Sequence, residues 1–106
     1  MIQAVYYRKY NRLTVEGHAK SGEPGRDLVC ASASMLAYTL AANVANMADN
    51  GQVRAPVMNM SSGSAEVSCN PISRYKATVT LAFDAVCTGF ELLARSYPEN
   101  ISYEIR

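Results

Sequence analysis

The sequence predicts an α+β fold in the order ββαββαβ, with two long helices packed on a mostly antiparallel sheet. Short segments near both ends alternate between polar and apolar residues, and two longer apolar stretches have helical spacing. Clusters of Gly, Pro and Asn separate these segments. The 106 residues are 49% hydrophobic, without a repeat or a break in composition. We therefore expect a single domain over residues 1–106.

The first part of the chain predicts a β-hairpin. Residues 2–10 are rich in β-branched and aromatic side chains, and residues 12–18 alternate between polar and apolar. Successive side chains of a strand point to opposite faces. His18 therefore shares the polar face of the second strand with Thr14 and Glu16.

Residues 28–49 predict the first helix because they are rich in Ala, Leu and Met. Asp27 precedes them as a favourable N-cap residue. Asn50 and Gly51 follow as a typical helix end. The apolar composition indicates that much of this helix is buried.

Two short strands are expected after the first helix, at residues 53–60 and 65–69, joined by a turn at residues 61–63. Pro56 lies within the first of them. Since proline cannot donate a ladder hydrogen bond, this strand should be an irregular or edge strand.

The stretch between Asn70 and Pro98 is ambiguous. Residues 75–81 alternate like a strand, whereas apolar residues over the whole stretch keep helical spacing. The longer pattern predicts a second helix, in which Asn70 is the N-cap and Pro71 the first helical residue. Residues 101–106 alternate again and predict the last strand.

Charge and composition exclude several classes of protein. The formal charge of +1 is too small for sequence-independent nucleic-acid binding. The N-terminus lacks a basic segment followed by an apolar one, and no stretch approaches the about 20 apolar residues of a membrane span. Three cysteines without C-x-x-C spacing argue against a disulfide framework or a common zinc module. We expect a cytoplasmic protein with free thiols and no metal, cofactor, membrane or nucleic-acid partner.

The segment from Gly17 to Ser34 contains the candidate catalytic chemistry. His18 is the only histidine, and Cys30 falls in the first turn of the first helix. The intervening loop only has to double back for the two side chains to meet. A thiol becomes a strong nucleophile as thiolate, which a helix N-terminus and a nearby imidazolium both stabilise. Cys30 and His18 are therefore a candidate nucleophile and base.

Other residues of this segment are given supporting roles. Asp27 is assigned a structural role as N-cap, and free N–H groups at the helix start are candidate donors to an oxyanion. Ser34 follows Cys30 by one turn and either hydrogen-bonds near the thiol or bonds back to the main chain. The loop containing Gly22 and Gly25 is expected to be a lid that moves when an extended peptide enters.

Each assignment has an alternative. A cysteine in an apolar helix is usually a core residue, as we expect for Cys87, and a histidine at a strand end is usually solvated. Cys69 is expected to be partly exposed. A zinc site of His18, Cys30 and Cys69 lacks a clear fourth ligand, and the loop lacks the G-K-[ST] of a phosphate-binding loop. A thiol redox sensor based on Cys30 also remains open.

The chain resembles the ribosomal-processing cysteine proteases. Their signature reads G-H-A, then a glycine-containing loop, then D-[IL]-V-C-A-x-x-S, and residues 17–19 and 27–34 match it. The resemblance implies that Cys30 is the nucleophile and His18 the base, with Gly17, Asp27 and Ser34 in supporting positions. It also implies a homodimer, which the high apolar content of so small a chain independently favours.

The resemblance further implies a substrate. Members of the family remove a short N-terminal extension from ribosomal large-subunit protein twenty-seven, cutting after an aromatic residue. Cys69, Cys87 and the Met, Ser and Asn content of residues 52–70 depart from the family pattern. Two alternatives therefore stay open: a phage-type protease that trims a capsid protein, and a non-catalytic dimeric module that binds a peptide strand.

Overall fold

The computed structural model describes residues 1–19 and 27–106. Two short 3-10 turns, Arg8–Tyr10 and Ser73–Tyr75, accompany the main elements. The main elements are β1 (Ile2–Tyr7), β2 (Arg12–Glu16), α1 (Leu28–Asp49), β3 (Val53–Ser61), β4 (Ser64–Pro71), α2 (Lys76–Ser96) and β5 (Ile101–Ile105). The predicted order ββαββαβ is therefore confirmed.

The strands form one sheet in the order β3-β4-β2-β1-β5. The pairs β1–β2, β2–β4 and β3–β4 are antiparallel, and β1–β5 is parallel. The mostly antiparallel sheet confirms the predicted fold class. β3 lies at one edge and β5 at the other.

The irregular character predicted for β3 is also confirmed. Its register against β4 shifts between Arg54 and Val57. Ala55 within this bulge has a left-handed backbone, with φ of 49°. Pro56 follows directly, at a point where the ladder is interrupted and a missing N–H costs no hydrogen bond.

The core lies between one face of the sheet and the two helices. Alternate residues of the central strands are buried, as in β1, where Ile2, Ala4 and Tyr6 are all at most 2% exposed. Leu40 of α1 and Phe83 of α2 pack against this face and are fully buried. Each large apolar side chain buried in this way contributes about 1.5–3 kcal/mol to folding.

Both ends of α1 lie where the sequence predicts them. The Asp27 Oδ1 atom accepts hydrogen bonds from the N–H groups of Val29 and Cys30, each at 3.0 Å. Asp27 is therefore the N-cap. At the other end the helix stops at Asp49, and Gly51 takes a left-handed φ of 71°.

The predicted start of α2 is wrong. Asn70 and Pro71 are the last residues of β4, and the helix begins at Lys76 after a 3-10 turn. Pro71 can lie at the end of this strand because its main chain faces the β2 side of β4. β2 begins only at Arg12, the partner of Ser68, so no ladder hydrogen bond is lost at Pro71. The end of α2 at Ser96, just before Pro98, agrees with the prediction.

The expectation that no stretch approaches a membrane span is too strong. By length and composition alone, two segments are long and apolar enough to cross a membrane: Leu28–Asp49 and Ser73–Ser96, with mean hydropathies of 1.5 and 1.4. Core helices of soluble proteins pass the same test. In this fold, one side of each helix packs against the sheet, and 33% and 28% of the two apolar windows are buried.

A polar cluster joins β1 to the middle of α2. The Tyr6 hydroxyl donates to Asp84 Oδ1 at 2.8 Å, and the Arg8 guanidinium donates to both Asp84 carboxylate oxygens at 3.0 and 2.9 Å. The bond from Arg8 holds the pKa of Asp84 below its ordinary value of 3.8. This cluster fastens α2 to the end of β1.

Candidate active site

A cleft of about 310 Å³ opens between the first half of α1 and the end of β2, with the β3–β4 turn as its outer wall. Its floor consists of small apolar side chains, among them Ala33, Ala37 and Ala65. Four of the predicted site residues line this cleft: Gly17, His18, Cys30 and Ser34.

The segment after β2 is held against the start of α1 through Ala19. The Ala19 N–H donates to the Cys30 Sγ atom at 3.3 Å. The Ala19 carbonyl accepts a hydrogen bond from Asn100 Nδ2 at 3.1 Å. Ala19 itself is only 3% exposed, so the site has no room for a larger side chain there. These contacts place the neighbouring His18 beside the cleft that contains Cys30.

His18 lies beyond Glu16, the last residue of β2, rather than within the strand as predicted. Its side chain is exposed, as expected for a residue on the polar side. The imidazole lies against Gly63 of the β3–β4 turn, where an added Cβ would come within 2.6 Å of Nε2. Gly63 therefore leaves space for the ring.

Gly17 has a conformational role that explains the first residue of the motif. Its φ is +100°, a backbone conformation that L side chains rarely adopt. A Cβ at this position would also overlap the Met1 carbonyl oxygen. The Gly17 N–H donates to the Gly63 carbonyl at 2.8 Å. Gly17 thus turns the chain so that His18 follows against the Gly63 wall.

Asp27 occupies three main-chain donors at the start of α1. Its carboxylate accepts from Val29 and Cys30, and its carbonyl accepts from the Ala31 N–H at 3.0 Å. These three amides are therefore not among the donors left free for an oxyanion. The cap instead fixes the main chain of Cys30 and the direction in which its side chain leaves the helix.

Ser34 lies one turn after Cys30 and is exposed in the cleft. Two other hydroxyls of α1 bond back to the main chain, Ser32 to Leu28 and Thr39 to Met35, each at 2.7 Å. Within residues 1–19 and 27–106, the Ser34 hydroxyl makes no such bond. It is therefore available to a ligand in the cleft.

The other two thiols are packed. Cys87 is 1% exposed, as predicted, and burial raises its pKa to about 12. Cys69 is 2% exposed, and burial raises its pKa to about 11, so the expectation of partial exposure is wrong. Its strand continues to Pro71, which places Cys69 inside the strand on the core face. Cys30 is half-buried and lines the cleft.

Gly22 and Gly25, predicted to belong to a substrate loop, lie outside the described residues. In the part of the chain that the structure describes, no three His, Cys, Asp or Glu side chains form a group that could hold a metal ion. Cys69 does not line the cleft that contains His18 and Cys30, so these three residues do not form the zinc site considered from the sequence.

Two residues of the site were missed in the sequence. Gly63 was assigned only to a turn, and Asn100 follows the Pro98-Glu99 pair that marks the end of α2. Both act through contacts distant in sequence, with His18 and with Ala19. The parallel pairing of β5 with β1 brings Asn100 to this end of the sheet, where its carbonyl also accepts from the Ile2 N–H at 2.9 Å.

Comparison with known proteins identifies the family. Two similar crystal structures are of the essential ribosomal processing protease Prp from S. aureus. The one in complex with a covalently linked product peptide has a TM-score of 0.74 and 20% identity; the one in complex with a substrate peptide has a TM-score of 0.68 and 19% identity. Each alignment covers 99% of this chain and 97% of the S. aureus chain.

The crystal structure of SMU.848 from Streptococcus mutans is 30% identical, with a TM-score of 0.71, and the match covers 99% of this chain and 93% of that one. No curated protein sequence matches the chain. The family model described as cysteine protease Prp matches residues 1–102. The chain therefore belongs to the Prp family of cysteine proteases.

Proposed function

We propose that this protein is a cysteine endopeptidase in which Cys30 is the nucleophile and His18 the general base. We further propose that it removes a short N-terminal extension from a ribosomal large-subunit protein. The observation that carries the proposal is the cleft shared by His18, Cys30 and Ser34, in a chain of the Prp family. The peptide complexes of the S. aureus protease support a protein substrate.

In the first half of the reaction, His18 takes the proton of the Cys30 thiol. The sulfur attacks the carbonyl carbon of the scissile bond and forms a C–S bond, and the carbonyl electrons move to oxygen. When the carbonyl reforms, the C–N bond breaks. The His18 imidazolium gives its proton to the leaving amine, which is the new N-terminus of the mature protein.

In the second half, water attacks the thioester carbon while His18 takes one of its protons. The C–S bond breaks, the extension leaves as a carboxylic acid, and the proton returns to the Cys30 sulfur. The imidazole therefore acts once as acid and once as base in each half-reaction. The exposed position of His18 at the cleft gives it access to both the leaving amine and the incoming water.

The main chain around Cys30 directs a hydrogen-bond donor at the sulfur. The Ala19 N–H already points at Sγ, and the sulfur lies at the positive end of the α1 dipole. The Asp27 carboxylate is an anion in the same turn, but its Oδ1 atom accepts two main-chain hydrogen bonds. We assign Asp27 a positioning role for that reason.

The small side chains of the cleft floor suit an aromatic residue next to the scissile bond. Ala33, Ala37 and Ala65 leave space, and Tyr38 on α1 offers a ring at the margin. The volume of about 310 Å³ is at the lower end of ligand pockets and is sufficient for one ring. These features support the proposed cleavage after an aromatic residue.

We also propose that the protein is a homodimer that works in the cytoplasm. The outer surface of the helices carries large exposed apolar side chains, including Leu28, Met35 and Leu92, which are 71%, 66% and 55% exposed. They border a groove between α1 and α2 that a second copy would cover. Light scattering should show twice the mass of one chain for the wild type and the monomer mass for Leu92→Glu.

The proposed activity is tested with a ribosomal large-subunit protein that carries its N-terminal extension. Mass spectrometry should show a single cut that releases the extension, with an aromatic residue at its new C-terminus. Cys30→Ser should bind the protein without cutting it, whereas Cys69→Ser should still cut. Tight binding without cleavage by the wild type, at any enzyme excess, would show a peptide-binding module instead.

A further inference from the structure

The outer edge of β3 is an uncovered strand edge. In the sheet order β3-β4-β2-β1-β5, β3 pairs with β4 on one side, and no described strand pairs with its other side. Main-chain groups on such an edge can hydrogen-bond a further extended segment. The N–H and C=O groups of a strand point alternately to its two neighbours. This alternation in β4 and β3 identifies the residues of β3 with groups on the open edge.

The direction of the main chain in β4 is fixed by one hydrogen bond. The Cys69 N–H donates to the Asn11 carbonyl at 3.2 Å, so the main-chain groups of Cys69 face β2. Because this direction alternates along a strand, the N–H and C=O groups of Ala65 and Val67 also face β2. The N–H and C=O groups of the residues between them therefore face β3: Ser64, Glu66 and Ser68.

The register then assigns the main-chain groups of β3. Three residues of β3 pair with the β4 residues whose main-chain groups face β3: Val57, Asn59 and Ser61. Their own N–H and C=O groups are therefore hydrogen-bonded to β4. Met58 and Met60 alternate with them, so their N–H and C=O groups point away from β4 toward the open edge.

Only the second half of this edge, residues 57–61, lacks the features that usually prevent strand addition. The first half of β3 is interrupted by the left-handed Ala55 and by Pro56. Residues 57–61 contain no charged side chain and no proline. On the opposite edge, β5 carries Glu104 and is followed by Arg106, which form an ion pair at 2.9 Å. The two edges therefore differ in how freely they accept a strand.

The open part of β3 also leads directly to the site. Met60 and Ser61 line the same cleft as Cys30 and His18. Met58 lies two positions earlier, about 7 Å further along the strand. A peptide paired with residues 57–61 would therefore pass from the open edge into the cleft.

We propose that the substrate binds as an additional strand on the outer edge of β3, with main-chain hydrogen bonds to Met58 and Met60 that align the scissile bond with Cys30. The inference rests on the proposed protease function and deepens it. It commits to one occupant, an extended unfolded segment with free N–H and C=O groups at alternate residues. A folded or proline-interrupted segment would not fit.

The enzyme side of the pairing is tested with Met58→Pro. Proline removes one outward N–H, and its restricted φ is compatible with an extended edge strand. Met58→Ala, which keeps the N–H, is the reference for loss of the side chain. Ile105→Pro, on the outer edge of β5, is the matched control for a proline on an edge strand. Thermal melts check that all variants fold.

The expected result is a selective loss of activity. Met58→Pro should lower kcat/KM by about fivefold to tenfold relative to Met58→Ala, the effect of one main-chain hydrogen bond. Ile105→Pro should lower it by less than about twofold. Equal kcat/KM for Met58→Pro and Met58→Ala, in folded proteins, would overturn the proposal while the protease function stands.

The substrate side is tested by N-methylation of single amides along a cleaved peptide. Strand pairing predicts a period of two, in which methylation at every second residue slows cleavage and methylation between them does not. Uniform tolerance, or a loss without this period, would contradict the pairing. Absence of any cleavage of the unmodified peptide would instead refute the proposed function.

The main rival occupant of the edge is a second copy of this chain. If Met58→Pro converts a dimer to a monomer in light scattering, the edge belongs to a contact between copies and the substrate proposal is wrong. If the mass is unchanged and Met58→Pro still shows the selective loss of activity, the results support substrate binding on the β3 edge.

Discussion

Cys30 and Cys87 both occur in apolar helices, yet the fold gives them opposite environments. Cys30 lies in the first turn of α1, half-buried at the cleft, with the Ala19 N–H directed at its sulfur. Cys87 lies in the middle of α2, 1% exposed, where burial raises its pKa to about 12. Position along the helix, more than local composition, separates a thiol available for chemistry from a packing thiol.

The surroundings of the two thiols differ in the same way. Near Cys30, turns of the main chain at Gly17 and Gly63 set the geometry and leave space for His18. Near Cys87, side-chain bonds of Asp84 join α2 to β1. Substitutions near Cys30 should therefore reduce activity, and substitutions near Cys87 should reduce stability.

The largest effect is expected for His18→Ala. Without the proposed base and acid, cleavage should fall by at least about 100-fold, within the range of general acid–base catalysis. The exposed imidazole contributes little to packing, so the melting temperature should change by less than about 2 °C. A kinetic assay with thermal melts checks both. A variant that loses its cooperative melt would show that His18 has a structural role instead.

A smaller effect is expected for Gly63→Ala. The added Cβ would come within 2.6 Å of His18 Nε2 and displace the ring, so kcat should fall about tenfold. Gly51→Ala is the matched control, since Gly51 has a similar φ of +71° against +76° but no neighbouring atom within 4 Å of an added Cβ.

Both glycine variants should lose a similar amount of stability, about 1 kcal/mol, because both place alanine in a left-handed conformation. Only Gly63→Ala should also lose activity. If the two variants have the same kcat, the contact between Gly63 and His18 does not set the position of the base.

The smallest effect is expected for Asp84→Asn, in the region around Cys87. Loss of the charge that pairs with Arg8 should lower the melting temperature by about 3–6 °C at neutral pH and leave kcat unchanged. Glu91→Gln, in the exposed pair with Arg95, is the control and should change the melting temperature less. A decrease in kcat in Asp84→Asn would contradict the separation of the two regions.

This stability difference should depend on pH. Because the pKa of Asp84 is lowered in the folded protein, its contribution is present above the ordinary value of 3.8 and is lost as pH falls through the folded pKa. The melting temperatures of the wild type and Asp84→Asn should therefore converge in acid. A gap that stays constant down to low pH would show that the carboxylate charge is not its cause.

Local sequence patterns were sufficient for most of the fold. Alternation identified the hairpins, and the Asp27 cap and Gly51 marked the ends of α1. Pro56 correctly indicated an irregular edge strand. The start of α2 was misread because the Asn70-Pro71 pair is equally acceptable at the end of a strand whose neighbour has stopped. Assigning the Asn70-Pro71 pair correctly requires knowledge of the sheet register, which local sequence patterns do not contain.

The candidate site could be predicted only in part, for the same reason. The spacing of His18 and Cys30 and the match to the family signature identified residues that the fold places in one cleft. Asn100 and Gly63 reach this cleft through the pairing of distant strands. Cys69 was misjudged because its exposure depends on where β4 ends.

The reactivity of the three thiols tests the central claim most directly, without knowledge of the substrate. Native protein is treated briefly with iodoacetamide, and the alkylated sites are ranked by mass spectrometry. We predict that Cys30 is labelled first, that Cys69 and Cys87 are labelled only on unfolding, and that His18→Ala slows labelling of Cys30 near neutral pH. If native Cys30 reacts no faster than Cys87, while the unfolded chain reacts equally at all three, Cys30 is a packing residue and the proposed nucleophile is wrong.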